Sequence, residues 1–326
     1  MATTGSQLPG GTLVRGARRT SGTSETLFDR IRRRWQLYVL LIPPLVYLLV
    51  FHYWPMYGAQ IAFRNFNAIG GITGSPWVGL RHFERFIGSY DFVRTLRNTI
   101  VLSVYSLVAG FPFPIILALG LNYVTRNWFK KTVQLVTYAP YFISVVVMAG
   151  IILQFLAPNT GLVNQMLQRM GFAQINFMAK PELFAHIYVW SGVWQTVGFS
   201  CVIYLAALSS VDPTLHEAAI VDGASKLQRM WHIDLPEIMP LAILLLILSL
   251  GGILSTGFEK ILLLQNPVNM RTAEVIDTYV YRVGLQSAVP NYSYAAAIGL
   301  FKSVVGFTLV ILVDRFAKRM GHAGAI

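Results

Sequence analysis

The chain contains 326 residues, of which 55% are hydrophobic and only 12% are charged. A soluble domain needs about 25% charged residues to cover its surface, and the mean hydropathy here is +0.55. These values argue against an ordinary soluble protein and indicate a membrane protein. The net charge of +12 does not indicate nucleic-acid binding, because the basic residues flank apolar segments instead of forming one patch.

Cysteine and histidine chemistry is not indicated. The single cysteine, Cys201, lies in an apolar run and cannot form an internal disulfide. The six histidines show no spacing typical of metal ligands. We therefore predict no metal site and no redox function.

Residues 1–35 are rich in Gly, Ser, Thr and Arg and carry almost no apolar mass, which predicts a disordered basic tail. The remainder, 36–320, is predicted to be an all-α transmembrane domain. Its apolar segments are long enough to cross about 30 Å of hydrocarbon, and they lie near 36–56, 95–123, 132–156, 184–210, 237–258 and 292–314. The first segment contains Pro43-Pro44, which predicts a kink or a local break.

Basic residues orient the predicted helices. If the amino terminus is cytoplasmic, fifteen of the 26 Lys and Arg residues lie in cytoplasmic segments, many directly beside helix ends, and ten lie outside. The positive-inside rule then places both termini in the cytoplasm. The same orientation places the moderately polar segment 212–236, which we call the polar loop, on the cytoplasmic side.

Local signals in the polar loop predict two short helices. Asp212 is a good N-cap before Pro213, and Gly223 can end the first helix in the left-handed conformation. The second helix is expected to stop before Leu235-Pro236, because a residue that precedes proline disfavours helical geometry. Pro236 would then begin the fifth membrane helix.

The spacing of the polar loop carries the most specific signal. It reads Glu217-Ala218-Ala219, three residues, Gly223, nine residues, Ile233, one residue, Leu235-Pro236. This pattern resembles the EAA motif, EAA-x3-G-x9-I-x-LP, of permease subunits in bacterial type I ABC importers. The stretches WVGLRHFERF (77–86), RNTI (97–100) and SYAAAIGLFKSVVGF (293–307) resemble the oligosaccharide and polysaccharide branch, in particular permeases of alginate importers.

The resemblance implies a non-catalytic inner-membrane subunit with several partners. These would be a second, related permease chain, two ATPase subunits docked on the polar loop, and a periplasmic substrate-binding protein. The segments 57–93 and 259–291 are expected to meet that binding protein. The chain has no G-x-x-x-x-G-K-[ST] motif, so ATP and Mg²⁺ are expected on the ATPase, with no cofactor on this chain.

Polar residues at membrane depth are expensive and predict a substrate path. Lys302 lies within the last apolar segment, either as an interfacial anchor, as the partner of a carboxylate such as Glu259, or as a contact for an anionic substrate. Aromatic and amide groups suit sugar rings and hydroxyls, and they are also common in helix packing and at membrane interfaces. The candidates on these grounds are Trp190, Trp194, Gln195, Asn98 and Tyr138.

The predicted cargo is an anionic, alginate-like saccharide. Ten basic residues against six acidic ones in the outer segments, together with Lys302, would attract an anion. A neutral oligosaccharide is the alternative. One rival function is a membrane assembly protein, against which the polar residues Asn98, Gln195 and Lys302 argue. Another is a channel or secondary carrier, which would not carry an EAA motif, and the two halves of the sequence show no repeat typical of carriers.

Overall fold

The computed structural model describes residues 33–254 and 257–319. Among them there are α-helices, short 3-10 and π turns and no β-strands; Arg64 and Trp77, and Asn67 and Gly71, form isolated bridges. The predicted tail lies largely outside the described residues. The chain divides into two compact units between Gly58 and Ala59.

The first unit holds the first predicted membrane segment. Helix α1, Trp35–Leu48, runs through Pro43 and Pro44 without a break and passes into a π turn at Leu49–Tyr53 and a helical turn at Trp54–Met56. Of the two predicted alternatives, the local break is therefore wrong, and the kink stays a prediction. Proline fixes φ near −65°, a helical value, so the two rings remove hydrogen bonds without ending the helix. A 3-10 turn, Tyr57–Phe63, follows.

The second unit supplies the helices that form the bundle and the polar loop. In chain order they are α2 Arg81–Ile87, α3 Tyr90–Gly110, α4 Pro112–Asn122, α5 Asn127–Tyr138, α6 Val145–Phe155, α7 Leu162–Arg169, α8 Pro181–Leu208, α9 Pro213–Val221, α10 Lys226–Arg229, α11 Leu235–Gly251, α12 Phe258–Leu264, α13 Ile276–Tyr281 and α14 Tyr292–Arg319. Shorter helical turns, at Gly71–Gly74, Phe177–Ala179 and Met270–Ala273, lie in the connections.

Five stretches of the described chain are long and apolar enough to cross a membrane, and six if one bent pair counts as a span. The five are Trp35–Phe63, Tyr90–Asn122, Pro181–Leu208, Lys226–Gly251 and Tyr292–Arg315. The fifth predicted segment, 237–258, thus begins earlier and ends earlier than expected, at Gly251.

The third predicted segment, 132–156, is not one straight helix. Helices α5 and α6 are bent by 103° across the 3-10 turn Ala139–Phe142. Pro140 lies in that turn, and the hydroxyl of Ser144 accepts a hydrogen bond from the backbone N–H of Val147, which starts a new helix. Each arm is about 17 Å long at 1.5 Å per residue, too short to cross the hydrocarbon alone.

Helix α8 lies at the centre of the second unit and packs against α3, α4, α5 and α11. One apolar cluster joins α4, α8 and α11 through residues such as Ala118, Cys201 and Ile238. Another joins α3, α6, α8 and α12 through residues such as Leu102, Met148 and Ile261. Through the second cluster, α3 and α8 pack against the same apolar core.

Candidate transport pathway and polar loop

The first half of the polar loop folds on itself. The side chain of Asp212 caps α9 by accepting the backbone N–H of Thr214 at 2.9 Å, and this hydrogen bond lowers the pKa of Asp212. Gly223 ends the helix with φ of +79°. Both predictions are confirmed, since a left-handed residue after a helix is most often glycine.

The second half differs from the prediction. Ser225 and Gln228 form a capping box at the start of α10, but α10 continues through a π turn, Met230–Asp234, directly into α11. The expected stop before Leu235-Pro236 is wrong. The backbone N–H of Leu235 bonds to Met230 five residues back, and this wider turn accommodates the missing N–H of Pro236.

The motif residues differ in exposure. Glu217, Ala218, Gly223 and Pro236 are exposed, whereas Ala219, Ile233 and Leu235 are partly buried. The exposed members lie at the surface of the polar loop, where a partner could contact them. Their docking role stays a prediction.

Asp234 attaches the polar loop to the helix bundle. Its fully buried carboxylate accepts the Tyr123 hydroxyl at 2.6 Å, just after α4. The other carboxylate oxygen lies 3.3 Å from Nε2 of His216 in α9. The two groups form an ion pair when the imidazole is protonated, but their geometry is not that of a hydrogen bond. Burial, together with the Asp234 bond, raises the pKa of Tyr123, so a neutral hydroxyl donates. One carboxylate thus joins α9, α4 and the base of α11.

Three cavities follow one face of α3 and one face of α8. Cavity A, of about 610 Å³, lies at the amino-terminal ends of both helices. Cavity B, about 580 Å³, and cavity C, about 480 Å³, come next along them. On α8 the lining residues recur at helical spacing of three and four, which places them on one stripe: Pro181, Ala185, Tyr188, Gly192, Thr196, Ser200 and Ile203. This stripe covers about 33 Å of helix.

The charge changes along the three cavities. Cavity A contains Arg94, Arg97, Arg271 and the acidic Glu182. Cavity B contains one cation and one anion, Lys260 and Glu259, and cavity C is lined by apolar residues, serines and Tyr204. A basic entrance followed by a progressively less charged interior is an arrangement that would draw in an anion.

A buried ionic cluster borders cavity A. The fully buried carboxylate of Glu274 binds the guanidinium groups of Arg94 and Arg282, the latter at 2.6 Å. Asn98 donates its amide to the backbone carbonyls of Arg271, at 3.0 Å, and Glu274, at 2.9 Å. We call Arg94, Asn98, Glu274 and Arg282 the Glu274 network. Asn98 therefore lines cavity A with its hydrogen-bonding capacity largely committed to holding the backbone.

Two other predicted path residues line cavity B. The amide nitrogen of Gln195 donates to the carbonyl of Ile143 at 3.1 Å, which leaves its oxygen available. Glu259 lines the same cavity and is exposed. The structure thus brings Gln195 and Glu259 together, as residues able to contact a passing molecule.

Trp190 and Trp194 do not face the three cavities. The indole N–H of Trp190 donates to the hydroxyl of Tyr105 at 2.9 Å, and its ring meets Phe113 edge to face. Trp190 and Trp194 are 45% and 51% exposed, and neither lines cavity A, B or C. The two tryptophans therefore do not share a cavity with Gln195, because they occupy a different face of α8, and their place in a substrate path stays a prediction.

Lys302 and Tyr138 also lie outside the three cavities. The Lys302 ammonium binds both carboxylate oxygens of Asp277 at 2.6 and 2.7 Å. Its partner is Asp277 and not Glu259, which corrects that suggestion. Tyr138 ends α5 where the backbone of α8 passes so closely that a Cβ on Gly198 would lie 2.1 Å from the Thr137 carbonyl oxygen.

Sequence reasoning missed Arg97, Lys260 and Asp234. Arg97 and Lys260 enter the charge count only as outer residues, although a lysine directly before the apolar run ILLL is a signal of a buried cation. Asp234 lies inside the motif at an unspecified position. Only the contact across 111 residues to Tyr123 distinguishes it.

Comparisons with known proteins agree with this geometry. Residues 96–322 match the family described as binding-protein-dependent transport system inner membrane component. A polygalacturonan/rhamnogalacturonan transport system permease of Bacillus subtilis is 44% identical over 91% of this chain and 92% of its own length.

Two solved structures are similar over nearly their whole length. One is a bacterial ABC transporter involved in the import of the acidic polysaccharide alginate, with 43% identity, a TM-score of 0.83, and coverage of 90% of this chain and 98% of that one. The other is a bacterial alginate ABC transporter in complex with an alginate pentasaccharide-bound periplasmic protein, with 41% identity, a TM-score of 0.84, and coverage of 92% and 99%.

The matched residues include both the polar loop and the helices that line the cavities. The long apolar helices, the absence of strands among the described residues and the EAA spacing all agree with that match. The chain belongs to the binding-protein-dependent transport system inner membrane component family and is a non-catalytic, multi-pass permease subunit of an ABC importer in the inner membrane.

Proposed function

We propose that this permease moves an anionic oligosaccharide or polysaccharide, of the uronate class, from a periplasmic binding protein into the cytoplasm. The observation that carries the proposal is the basic character of cavity A. Arg97 there makes no ion pair within residues 33–254 and 257–319, so its charge is available to a ligand. The cargoes named for two similar transporters, polygalacturonan and alginate, are polymers of uronic acids.

The partners follow from the same proposal. A second, related permease would complete the pathway, and two ATPase subunits that bind ATP and Mg²⁺ would dock on the polar loops. The exposed Glu217, Ala218 and Gly223 support this docking role. Because α9 is capped at both ends, it would move as a rigid unit when the ATPase closes.

The experiment compares cargo charge in the assembled importer reconstituted with its binding protein. We expect uronate oligomers to stimulate ATP hydrolysis and to be taken up, and neutral oligomers of equal length to do neither. Uptake should weaken with salt because long-range attraction is screened over about 8 Å at 0.15 M ionic strength. Equal or better uptake of the neutral oligomers would contradict the anionic cargo.

A matched pair of variants tests cavity A. Arg97→Met should lower uronate uptake and flatten its salt dependence, because it removes an unpaired charge from the cavity. Arg169→Met, at an exposed arginine of α7, should change neither. An unchanged salt dependence in Arg97→Met would remove cavity A from the path.

A separate experiment tests the orientation of the permease in the membrane. Single cysteines at Ser225 in the polar loop and at Ala288 after α13 are placed in a Cys201→Ser background. An impermeant thiol reagent added outside intact cells should label Ala288→Cys alone. Labelling of Ser225→Cys from outside would overturn both the orientation and the docking role.

A further inference from the structure

Lys260 is a buried cation in cavity B. It lies in the first turn of α12, and only 8% of its surface is exposed. Its ammonium group points at α8, where a Cβ built on Gly192 would be 3.7 Å from Nζ. Both Lys260 and Gly192 line the cavity, so the ammonium lies at the cavity wall.

The partners of this ammonium are neutral. Nζ donates to the backbone carbonyl of Tyr188 at 3.3 Å and lies 5.3 Å from the centre of the Tyr188 ring. Within residues 33–254 and 257–319, no carboxylate lies within ion-pair distance of it, not even that of its neighbour Glu259. A carbonyl dipole and a ring face compensate only part of the cost of desolvating a full charge.

The buried carboxylates of the described chain have basic groups beside them, and the partly buried Lys302 has an acidic one. Glu274 binds two guanidinium groups, and Lys302 binds Asp277. A buried charge without such a partner is destabilising by itself. Its presence beside a cavity of about 580 Å³ therefore favours a role with a ligand over a role in stability.

The local packing leaves space at the ammonium. Gly192 carries no side chain, and its neighbour in the lining, Gln195, keeps a free amide oxygen toward a hydroxyl donor. One cation, one anion and one amide suit a saccharide that carries both a carboxylate and hydroxyls. Because Glu259 balances the charge of the cavity, binding there would be weak enough for the cargo to leave.

We propose that Lys260 holds a carboxylate of the transported saccharide in cavity B, as a specificity-determining contact one step deeper than the arginines of cavity A. This inference rests on the proposed anionic cargo. In this proposal cavity B selects an anionic cargo by direct contact, whereas cavity A acts by long-range attraction.

The test uses the complete importer, reconstituted with its binding protein, and measures uptake of a labelled uronate oligomer. Lys260→Met should lower uptake about 10- to 100-fold, the loss of one charge-assisted hydrogen bond. Lys131→Met, at an exposed lysine of α5, is the matched control and should transport normally.

The outcomes separate the two proposals. If the wild type takes up neutral oligomers as well as uronates, the anionic cargo is wrong. If the wild type takes up only uronates and Lys260→Met does so at the same rate, Lys260 is not a contact and the anionic cargo stands. Should Lys260→Met fail to assemble, Lys260→Arg keeps the charge but shifts it; we expect a raised KM for uronate uptake, and an unchanged KM would overturn the contact.

Discussion

The Glu274 network and the polar loop are held in opposite ways. Glu274 is fully buried and binds arginines from α3 and from the turn after α13, across up to 180 residues of sequence. The polar loop is mostly exposed and is stabilised by its own caps. It meets the bundle in its second half, through the carboxylate of Asp234 and through Met230 and Leu235, which pack against the apolar cluster of α4, α8 and α11. The first region is therefore buried and cross-linked, whereas the first half of the second, helix α9, is largely exposed.

This difference suits a protein in which one region must stay fixed while the other moves. A buried ionic network has few alternative arrangements, because breaking it leaves uncompensated charges. A short capped helix that is mostly exposed can shift as a body at lower cost. Variants in the two regions should therefore fail differently, the first in stability and the second in coupling.

The largest effect is expected for Glu274→Ala. It leaves the guanidinium groups of Arg94 and Arg282 without their carboxylate, which costs about 3–5 kcal/mol. Thermal unfolding of the detergent-purified importer should show a lower midpoint and poor recovery. Glu182→Ala is the control, since its 3.6 Å contact with Arg271 is exposed on both sides and should cost at most about 1 kcal/mol. Equal losses in the two variants would show that burial does not matter here.

The second-largest loss of stability is expected for the ion pair of Lys302 and Asp277. Lys302→Met removes two charge-assisted hydrogen bonds to Asp277, and we expect a stability loss of about 1.5–3 kcal/mol. The double variant Lys302→Met/Asp277→Asn should recover much of it in a double-mutant cycle. A transport defect that persists in a stable double variant would instead return Lys302 to the substrate path.

Asp234→Ala should separate coupling from assembly. It leaves the Tyr123 hydroxyl without its acceptor, a loss of about 1–3 kcal/mol, and detaches α9 from α11. We expect an assembled importer whose ATP hydrolysis no longer responds to the loaded binding protein. Asp222→Ala, at an exposed carboxylate of the same loop, should respond normally. A normal response in Asp234→Ala would show that the attachment lies elsewhere.

Gly223→Val tests the left-handed turn of the polar loop. A β-branched residue at φ of +79° costs about 1–2 kcal/mol, so binding-protein-stimulated ATP hydrolysis should fall while the subunit still inserts. Gly171→Val offers the same strain, at φ of +84°, outside the polar loop. The binding protein should still stimulate ATP hydrolysis in Gly171→Val. Equal stimulation of ATP hydrolysis in both variants would contradict the docking role of Gly223.

The smallest effect is expected for Asp212, the N-cap of α9. The hydrogen bond from Thr214 lowers the pKa of Asp212 in the folded state. The contribution of Asp212 to the free energy of unfolding is therefore fully present above the pKa of about 3.8 that it has in the unfolded chain. This contribution is lost as the pH falls through the lower pKa of the folded state. Asp212→Ala should reduce stimulated ATP hydrolysis slightly at neutral pH. Its difference from the wild type should vanish in unfolding measured at strongly acidic pH, and a constant difference would argue against the cap.

The sequence alone determined the membrane class, the polar loop and its caps, because these follow from composition and from residues close together in the chain. Hydropathy needs only about 20 consecutive residues, and the motif, Asp212 and Gly223 all lie within the polar loop. Local proline signals were misleading in two places. Pro43-Pro44 caused no break in α1, and α10 did not stop before Leu235-Pro236, because a π turn accommodates Pro236.

Only the tertiary structure decided which polar residues meet. Periodicity places Trp190, Trp194 and Gln195 close together on α8, but which stripe faces a cavity depends on how α3 and α12 pack against that helix. The partner of Lys302 lies 25 residues away and that of Asp234 lies 111 residues away. Such contacts depend on the relative placement of whole helices, which the burial of apolar surface fixes and which no short window of sequence contains.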